Sequence, residues 1–264
     1  MTDETAAPGT AAPGARTTRR TLLRGALGLA AAVGAAGALD LGLARPAAAY
    51  GWSRTLQQGA SGADVTELQI RIAGWAAASP QQTCVAVDGS FGPGTAAALQ
   101  RFQSAYGLGA DGVAGPQTQQ VLNSLESADG STAHFEWSEF TSHDGSGFGG
   151  GNVGSAQVKE NVRRLMYKLE ALRRKAGDRA VTINSGFRST AYNAQVGGAS
   201  NSMHTYGVAA DTVVSGLSTL SVYRIAETCG FSGLETYSVS WQHVDSRIEY
   251  PYGSQFWWWE DGVA

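Results

Sequence analysis

Residues 202–214 read SMHTYGVAADTVV, and residues 241–247 read WQHVDSR. They contain two of the four histidines of the chain, His204 and His243, and the carboxylate of Asp211. Two imidazoles and one carboxylate are a common protein contribution to a catalytic zinc ion, which keeps its fourth position for water. The sequence therefore predicts a zinc site made by His204, Asp211 and His243.

The interval between His204 and Asp211 predicts the local structure. On one helix, residues seven apart would lie roughly 10 Å from each other, too far for two ligands that each lie about 2 Å from one ion. On an uninterrupted strand, an odd separation would send the two side chains to opposite faces. Gly207 offers a bend, and 208–214 has the composition of a strand. We expect His204 to end a loop and Asp211 to project from the following strand.

These residues resemble a known enzyme family. Residues 202–211 match the pattern S-x-H-x-x-G-x-A-x-D of the zinc D-alanyl-D-alanine carboxypeptidases, a group that also holds lysostaphin-type peptidases and hedgehog domains. HVD at 243–245 is similar to the third-ligand motif of that family, and SGFRS at 185–189 to its upstream arginine segment. The resemblance covers about 135–264. It implies a zinc metallopeptidase that hydrolyses D-Ala-D-Ala or related bonds in peptidoglycan stem peptides.

The resemblance also implies roles for residues around the metal. The family's arginine, here Arg188, grips the terminal carboxylate of the substrate or stabilises the developing oxyanion, for which a planar and permanently charged guanidinium is suited. Ser202 would support the site by hydrogen bonding. On a strand, Asp245 would share a face with His243 and could hold its imidazole in the ligating tautomer.

The general base is the part of the family pattern that this sequence does not follow. Related enzymes place a histidine two residues, or an acid three residues, before the last ligand, where this chain has Trp241 and Ser240. Hedgehog-like relatives place a glutamate further upstream. Glu235 is therefore the predicted base, and Asp245 is the alternative.

The segment 56–126 contains an internal repeat. VDGSFGPGTAAALQRFQ (87–103) and ADGVAGPQTQQVL (110–122) each have Asp-Gly, a gap of two, Gly-Pro-x-Thr and an apolar helix. Asp-Gly favours a turn, and proline is well tolerated in a first helical turn. With the helical spacing of DVTELQIRIAGWA before them, the pattern predicts a small three-helix bundle. It resembles the peptidoglycan-binding domain family, which implies binding to the cell wall.

The N-terminal residues predict export. TTRRTLLR (17–24) precedes the apolar GALGLAAAVGAAGAL, and small residues end at Ala49. This pattern is typical of a twin-arginine signal peptide, because the apolar run is too short and too rich in glycine and alanine for a membrane anchor. We expect cleavage near Ala49, no stable membrane insertion afterwards, and a secreted protein associated with the cell wall.

Charge and cysteine content narrow the partners. The chain has a net charge of −3 and no basic patch, so nucleic acid is not expected as a partner. We expect a monomer whose partner is peptidoglycan, both stem peptide and glycan. Cys84 and Cys229 are the only cysteines; an interdomain disulfide and two buried thiols both remain open.

The predicted fold class is α+β, with a mainly antiparallel sheet flanked by helices. The predicted organisation is a signal peptide (1–49), a three-helix peptidoglycan-binding domain (50–128), a Gly/Ser-rich linker (129–155) and a zinc peptidase domain (156–264). Trp257, Trp258 and Trp259 are predicted to pack over the sheet, with stacking on glycan sugars as the alternative. A crosslink endopeptidase and a catalytically weak zinc-containing wall-binding protein are the alternative functions.

Overall fold

A computed structural model describes residues 50–236 and 240–260 of the chain. The predicted signal peptide, residues 1–49, lies outside the described residues. The helices are α1 (Ala63–Ile72), α2 (Pro93–Ala105), α3 (Pro116–Ser124), α4 (Ser155–Lys175), α5 (Thr190–Gln195) and α6 (Thr219–Ala226). The strands are β1 (Val181–Ser185), β2 (Ala209–Val214), β3 (Gly233–Thr236), β4 (Gln242–Asp245) and β5 (Trp257–Glu260). Within the described part of the chain, no helix is long and apolar enough to cross a membrane.

Helices α1, α2 and α3 form the predicted bundle. The internal repeat has a structural cause. Gln69 of α1 donates from its amide to Asp88 and accepts from the backbone N–H of Gly89, in the first Asp-Gly loop. Gln103 of α2 repeats these bonds with Asp111 and Gly112 in the second loop. Both glutamines are buried. In each copy of the repeat, the Asp-Gly loop is therefore held by a buried glutamine of the preceding helix.

Helix α4 belongs to both cores. One side carries residues of the peptidase core, among them Val162, Leu165 and Leu169. The other side places Tyr167 and Ala171 in the core of the helical bundle. The described residues, 50–236 and 240–260, all belong to one compact unit. The bundle and the peptidase part therefore share a helix rather than being joined only by a tether.

The predicted linker over 129–155 is the main correction to the domain description. Phe135 and Phe140 in this segment are buried in the peptidase core. Gly145, Gly147 and Gly150 have positive φ angles, so here the glycines make turns, which their lack of a Cβ permits. Glycine density suggested flexibility, whereas two buried aromatic rings fix the segment against the sheet and its helices.

The five strands form one sheet in the order β1-β2-β4-β3-β5. Every neighbouring pair is antiparallel except β3 and β5. One face packs on α4 and α6, and a row of apolar residues crosses it from β2 to β5: Ala210, Val244, Leu234 and Trp258. The predicted α+β class with a mainly antiparallel sheet is confirmed. Since neighbours in a strand point to opposite faces, the residues adjacent to this row lie on the other face, here called the site face.

Candidate metal centre

The register of the sheet brings the predicted ligands together. Asp211 of β2 pairs directly with His243 of β4, and paired residues point to the same face. His204 lies in the short 3₁₀ turn Met203–Tyr206. Gly207 ends that turn with φ 76°, a left-handed conformation that glycine adopts without steric cost. This bend turns the chain into β2, so His204 lies in a turn and Asp211 on the following strand.

The three ligand atoms form a compact triangle. His204 Nε2 lies 3.3 Å from His243 Nδ1 and 3.3 Å from Asp211 Oδ1, and His243 Nδ1 lies 2.9 Å from Asp211 Oδ1. Ligands about 2.0–2.1 Å from a tetrahedral zinc ion are separated by about 3.3 Å. All three residues are buried. The donor set therefore fits zinc: two of the three separations match this spacing, and the one between His243 and Asp211 is shorter.

Hydrogen bonds select the tautomer of each imidazole. His204 Nδ1 lies 2.6 Å from the carbonyl oxygen of Gly186, to which it donates. His243 Nε2 lies 3.3 Å from Asp245 Oδ2, to which it donates in the same way. A proton held on these outer nitrogens leaves the lone pairs of His204 Nε2 and His243 Nδ1 directed at the same point. Such outer partners typically orient metal-binding imidazoles.

The electrostatics of the centre favour a cation. Burial opposes ionisation of Asp211, but the two imidazoles outweigh it and hold the pKa of its carboxyl well below the usual range. Burial likewise opposes ionisation of Asp245, while His243 and Arg247 hold its pKa low. Burial lowers the pKa of His204; it acts in the same direction on His243, but Asp211 and Asp245 overcome it and raise that pKa to about 10. Anionic carboxylates around the triangle thus stabilise positive charge there, as a proton or as a metal ion.

Arg188 lies at the centre, in contact with a ligand. Its Nη2 donates to Asp211 Oδ2 at 2.7 Å, and its Nε donates to Ser185 Oγ at 2.8 Å. Its backbone N–H donates to the carbonyl of His204. The guanidinium therefore holds the Asp211 oxygen that does not face the imidazoles. The side chain remains 17% exposed, so it is not sealed from solvent.

Asp245 and Glu235 share one arginine. Asp245 is fully buried and accepts from the backbone N–H, Nε and Nη2 of Arg247. Arg247 Nη2 also donates to Glu235 Oε1 at 2.8 Å. Glu235 pairs with His243 across β3 and β4, which places their Cβ atoms about 4.5–5.5 Å apart on the site face. Glu235 is thus a neighbour of the metal centre although eight residues separate it from His243 in sequence.

Ser202 supports the turn by its backbone rather than by its side chain. Its carbonyl accepts from the hydroxyl of Thr205 at 2.6 Å and from the Thr205 N–H. Its side chain makes no capping hydrogen bond in this turn. Thr205 is fully buried and also accepts from Asn152. The hydrogen bonding predicted for Ser202 therefore passes through its carbonyl group.

Three supporting residues were not among the predicted site residues. Arg247 binds both Asp245 and Glu235, Gly186 supplies the carbonyl that orients His204, and Gly233 pairs with Asp245 across β3 and β4. A Cβ at Gly233 would overlap the Asp245 carboxylate. The glycine in SGFRS and the arginine two residues after HVD were visible signals; the need for glycine at 233 was not, because it depends on the strand register.

The other two histidines lie elsewhere. His134 pairs with Glu170 at 2.8 Å, and His143 contacts the hydroxyl of Tyr192. In residues 50–236 and 240–260, only His204, Asp211 and His243 form a group with metal-ligand spacing. The two cysteines are free thiols in the structure, which answers the question of their pairing.

Comparison with known proteins places these features in a family. The family "Peptidase M15" matches residues 133–245, and the family "Putative peptidoglycan binding domain" matches residues 61–122. The zinc D-Ala-D-Ala carboxypeptidase of Streptomyces albus G is 44% identical over 183 residues, which are 69% of this chain and 70% of that protein. The chain belongs to the peptidase M15 family. The region that resembled a zinc peptidase and the region that resembled a wall-binding domain are both confirmed.

Other similarities concern only part of this M15 chain. The spore cortex-lytic enzyme of Bacillus cereus is 43% identical over 84 residues, 31% of this chain and 30% of that protein. The crystal structure of the SleB N-terminal domain is 44% identical and covers 27% of this chain and 90% of its own, with a TM-score of 0.23.

Proposed function

We propose that the chain is an exported zinc peptidase that removes the terminal D-alanine from peptidoglycan stem peptides. The observation that carries the proposal is the triangle of His204 Nε2, His243 Nδ1 and Asp211 Oδ1, with both tautomers set by outer hydrogen bonds. The 44% identity to a zinc D-Ala-D-Ala carboxypeptidase supports the substrate class. The peptidoglycan-binding domain would keep the enzyme on the cell wall as a secreted monomer, with no nucleic acid as a partner.

Three residues would hold the metal, and others would act around it. Bound zinc supplies a Lewis acid that acidifies a water molecule and polarises the scissile carbonyl. Glu235 takes the proton of the attacking water and gives it to the leaving amine, as a general base and then a general acid. Arg247 fixes the Glu235 carboxylate by its 2.8 Å hydrogen bond.

Asp245 is better suited to orienting His243 than to proton transfer. It is fully buried, and Arg247 and His243 already occupy both of its oxygens. Arg188 fixes Asp211, and its partly exposed side chain is available to the terminal carboxylate of the substrate. This arrangement favours Glu235 over Asp245 as the base.

The proposal is tested with the zinc-loaded protein and a stem pentapeptide that ends in D-Ala-D-Ala. We expect release of D-alanine that stops with chelator and returns when zinc is added. E235Q should lower kcat by about 10²–10⁴-fold while it retains zinc. D-alanine release that resists chelation would refute the zinc mechanism. Cleavage of a crosslinked dimer without D-alanine release would assign an endopeptidase, and zinc binding with no turnover of either substrate would assign a wall-binding protein.

A further inference from the structure

Two exposed tryptophans lie on the last described strand. Trp257 and Trp259 are 46% and 40% exposed. Trp258 between them points the other way, packs on the peptidase core and donates its indole N–H to the carbonyl of Phe231. The middle residue of the triplet thus anchors β5 to the sheet, and the flanking two present their rings on the site face. The triplet forms an edge strand, and only Trp258 follows the predicted inward packing.

The register aligns Trp259 with the metal centre. Ser185, Asp211, His243, Glu235 and Trp259 pair in turn across all five strands. Trp259 is two strands from His243, and neighbouring strands lie about 4.8 Å apart, so their backbones are separated by about 10 Å. The exposed rings therefore border the metal centre on the side of Glu235.

Arg247 connects the second ring to the same centre. Its guanidinium carbon lies 6.0 Å from the centroid of Trp257, a distance at which a cation and a ring face attract each other. The same guanidinium holds Glu235 and Asp245. The tryptophan surface and the hydrogen-bond network of the metal centre are consequently continuous.

We propose that Trp257 and Trp259 form an aromatic subsite for the part of the stem peptide that precedes the cleaved bond. The inference rests on the proposed function. A carboxypeptidase releases one residue, which extends about 3.5 Å, whereas a surface about 10 Å away matches about three extended residues. Only the acyl side of the substrate reaches that far. Indole faces bury the apolar stems and peptide planes of such a chain at low entropic cost, because a tryptophan has few rotatable bonds.

The test compares two substrates of different length on the zinc-loaded full chain. Acetyl-D-Ala-D-Ala is too short to reach the rings, and the stem pentapeptide is long enough. We expect W259A and W257A each to lower kcat/KM for the pentapeptide by roughly threefold to tenfold. For W259A the value for acetyl-D-Ala-D-Ala should be unchanged, and W259F, which retains a ring, should recover most of the loss.

Each of the other possible outcomes either overturns the inference or separates it from the proposed function. Equal losses on both substrates, or no loss on the pentapeptide, would overturn it. A loss seen only when the pentapeptide carries its disaccharide would assign the rings to glycan and would also overturn it. If the wild-type protein hydrolyses neither substrate, the proposed function fails by itself. Calorimetry with the intact pentapeptide then decides the subsite, since equal affinities of the wild type and W259A would refute it.

Discussion

The replacement of Asp245 by asparagine tests how the metal centre is built. The change keeps the size of the side chain and removes its charge. In the wild type, Asp245 accepts from His243 Nε2 and from three donors of Arg247. An amide has one oxygen, so it cannot accept on both sides. Either its NH2 group meets the Arg247 donors, or it meets His243 Nε2 and drives the proton to Nδ1, the nitrogen that faces the metal.

The magnitude follows from this loss of orientation. Removing the outer partner of a metal-binding histidine typically lowers metal affinity by about 10- to 100-fold, which corresponds to about 1.4–2.7 kcal/mol. We expect D245N to reach the upper part of this range, because one arrangement of the amide actively stabilises the wrong tautomer of His243. Zinc-dependent turnover at limiting zinc should fall in parallel.

The assay is a competitive zinc titration against a chromophoric chelator, with circular dichroism to check the fold. D178N is the matched control, since Asp178 undergoes the same chemical change in an exposed ion pair with Arg173 and Arg174. The control should bind zinc like the wild type. A D245N protein that is folded and binds zinc within twofold of the wild type would refute the orienting role of Asp245.

Three further substitutions have defined outcomes. G233A places a Cβ against the Asp245 carboxylate and should lower zinc affinity by about tenfold or more in the same titration; unchanged affinity would contradict the close approach. R188K replaces a guanidinium that bridges Ser185 and Asp211 with a single point charge. Because an ammonium group fits two acceptors less well, kcat/KM should fall. The fold, measured by circular dichroism, should persist. Q69A leaves buried loop groups without partners and should lower the free energy of unfolding in urea by about 1–3 kcal/mol.

Local patterns predicted much of the backbone geometry at the candidate metal centre because the motif encodes local geometry. Gly207 was the one residue between His204 and Asp211 able to bend the chain, and the structure uses it with φ 76°. The alternation along HVD likewise placed Asp245 on the face of His243, and the two side chains are hydrogen-bonded. Helical spacing likewise predicted α1 in the bundle.

Features that depend on strand pairing were beyond such reasoning. The register that sets Glu235 opposite His243 and Trp259 opposite Glu235 is a tertiary property that no period reveals. The linker prediction for 129–155 differs from the structure for a related reason. Glycine and serine density describes the freedom of an isolated chain, but Phe135 and Phe140 are buried, and this burial offsets the entropy lost on ordering the segment.

Arg188 constrains the single carboxylate of the candidate metal centre. The two oxygens of Asp211 have separate partners: Oδ1 faces both imidazoles, and Oδ2 is held by the guanidinium. A carboxylate fixed in this way offers one oxygen to a cation rather than two, which leaves more of the coordination sphere for water and substrate. Arg188 also bonds the carbonyl of His204 through its backbone, so one residue sets the positions of two ligands. An arginine at this position therefore contributes to an open metal centre before any substrate binds.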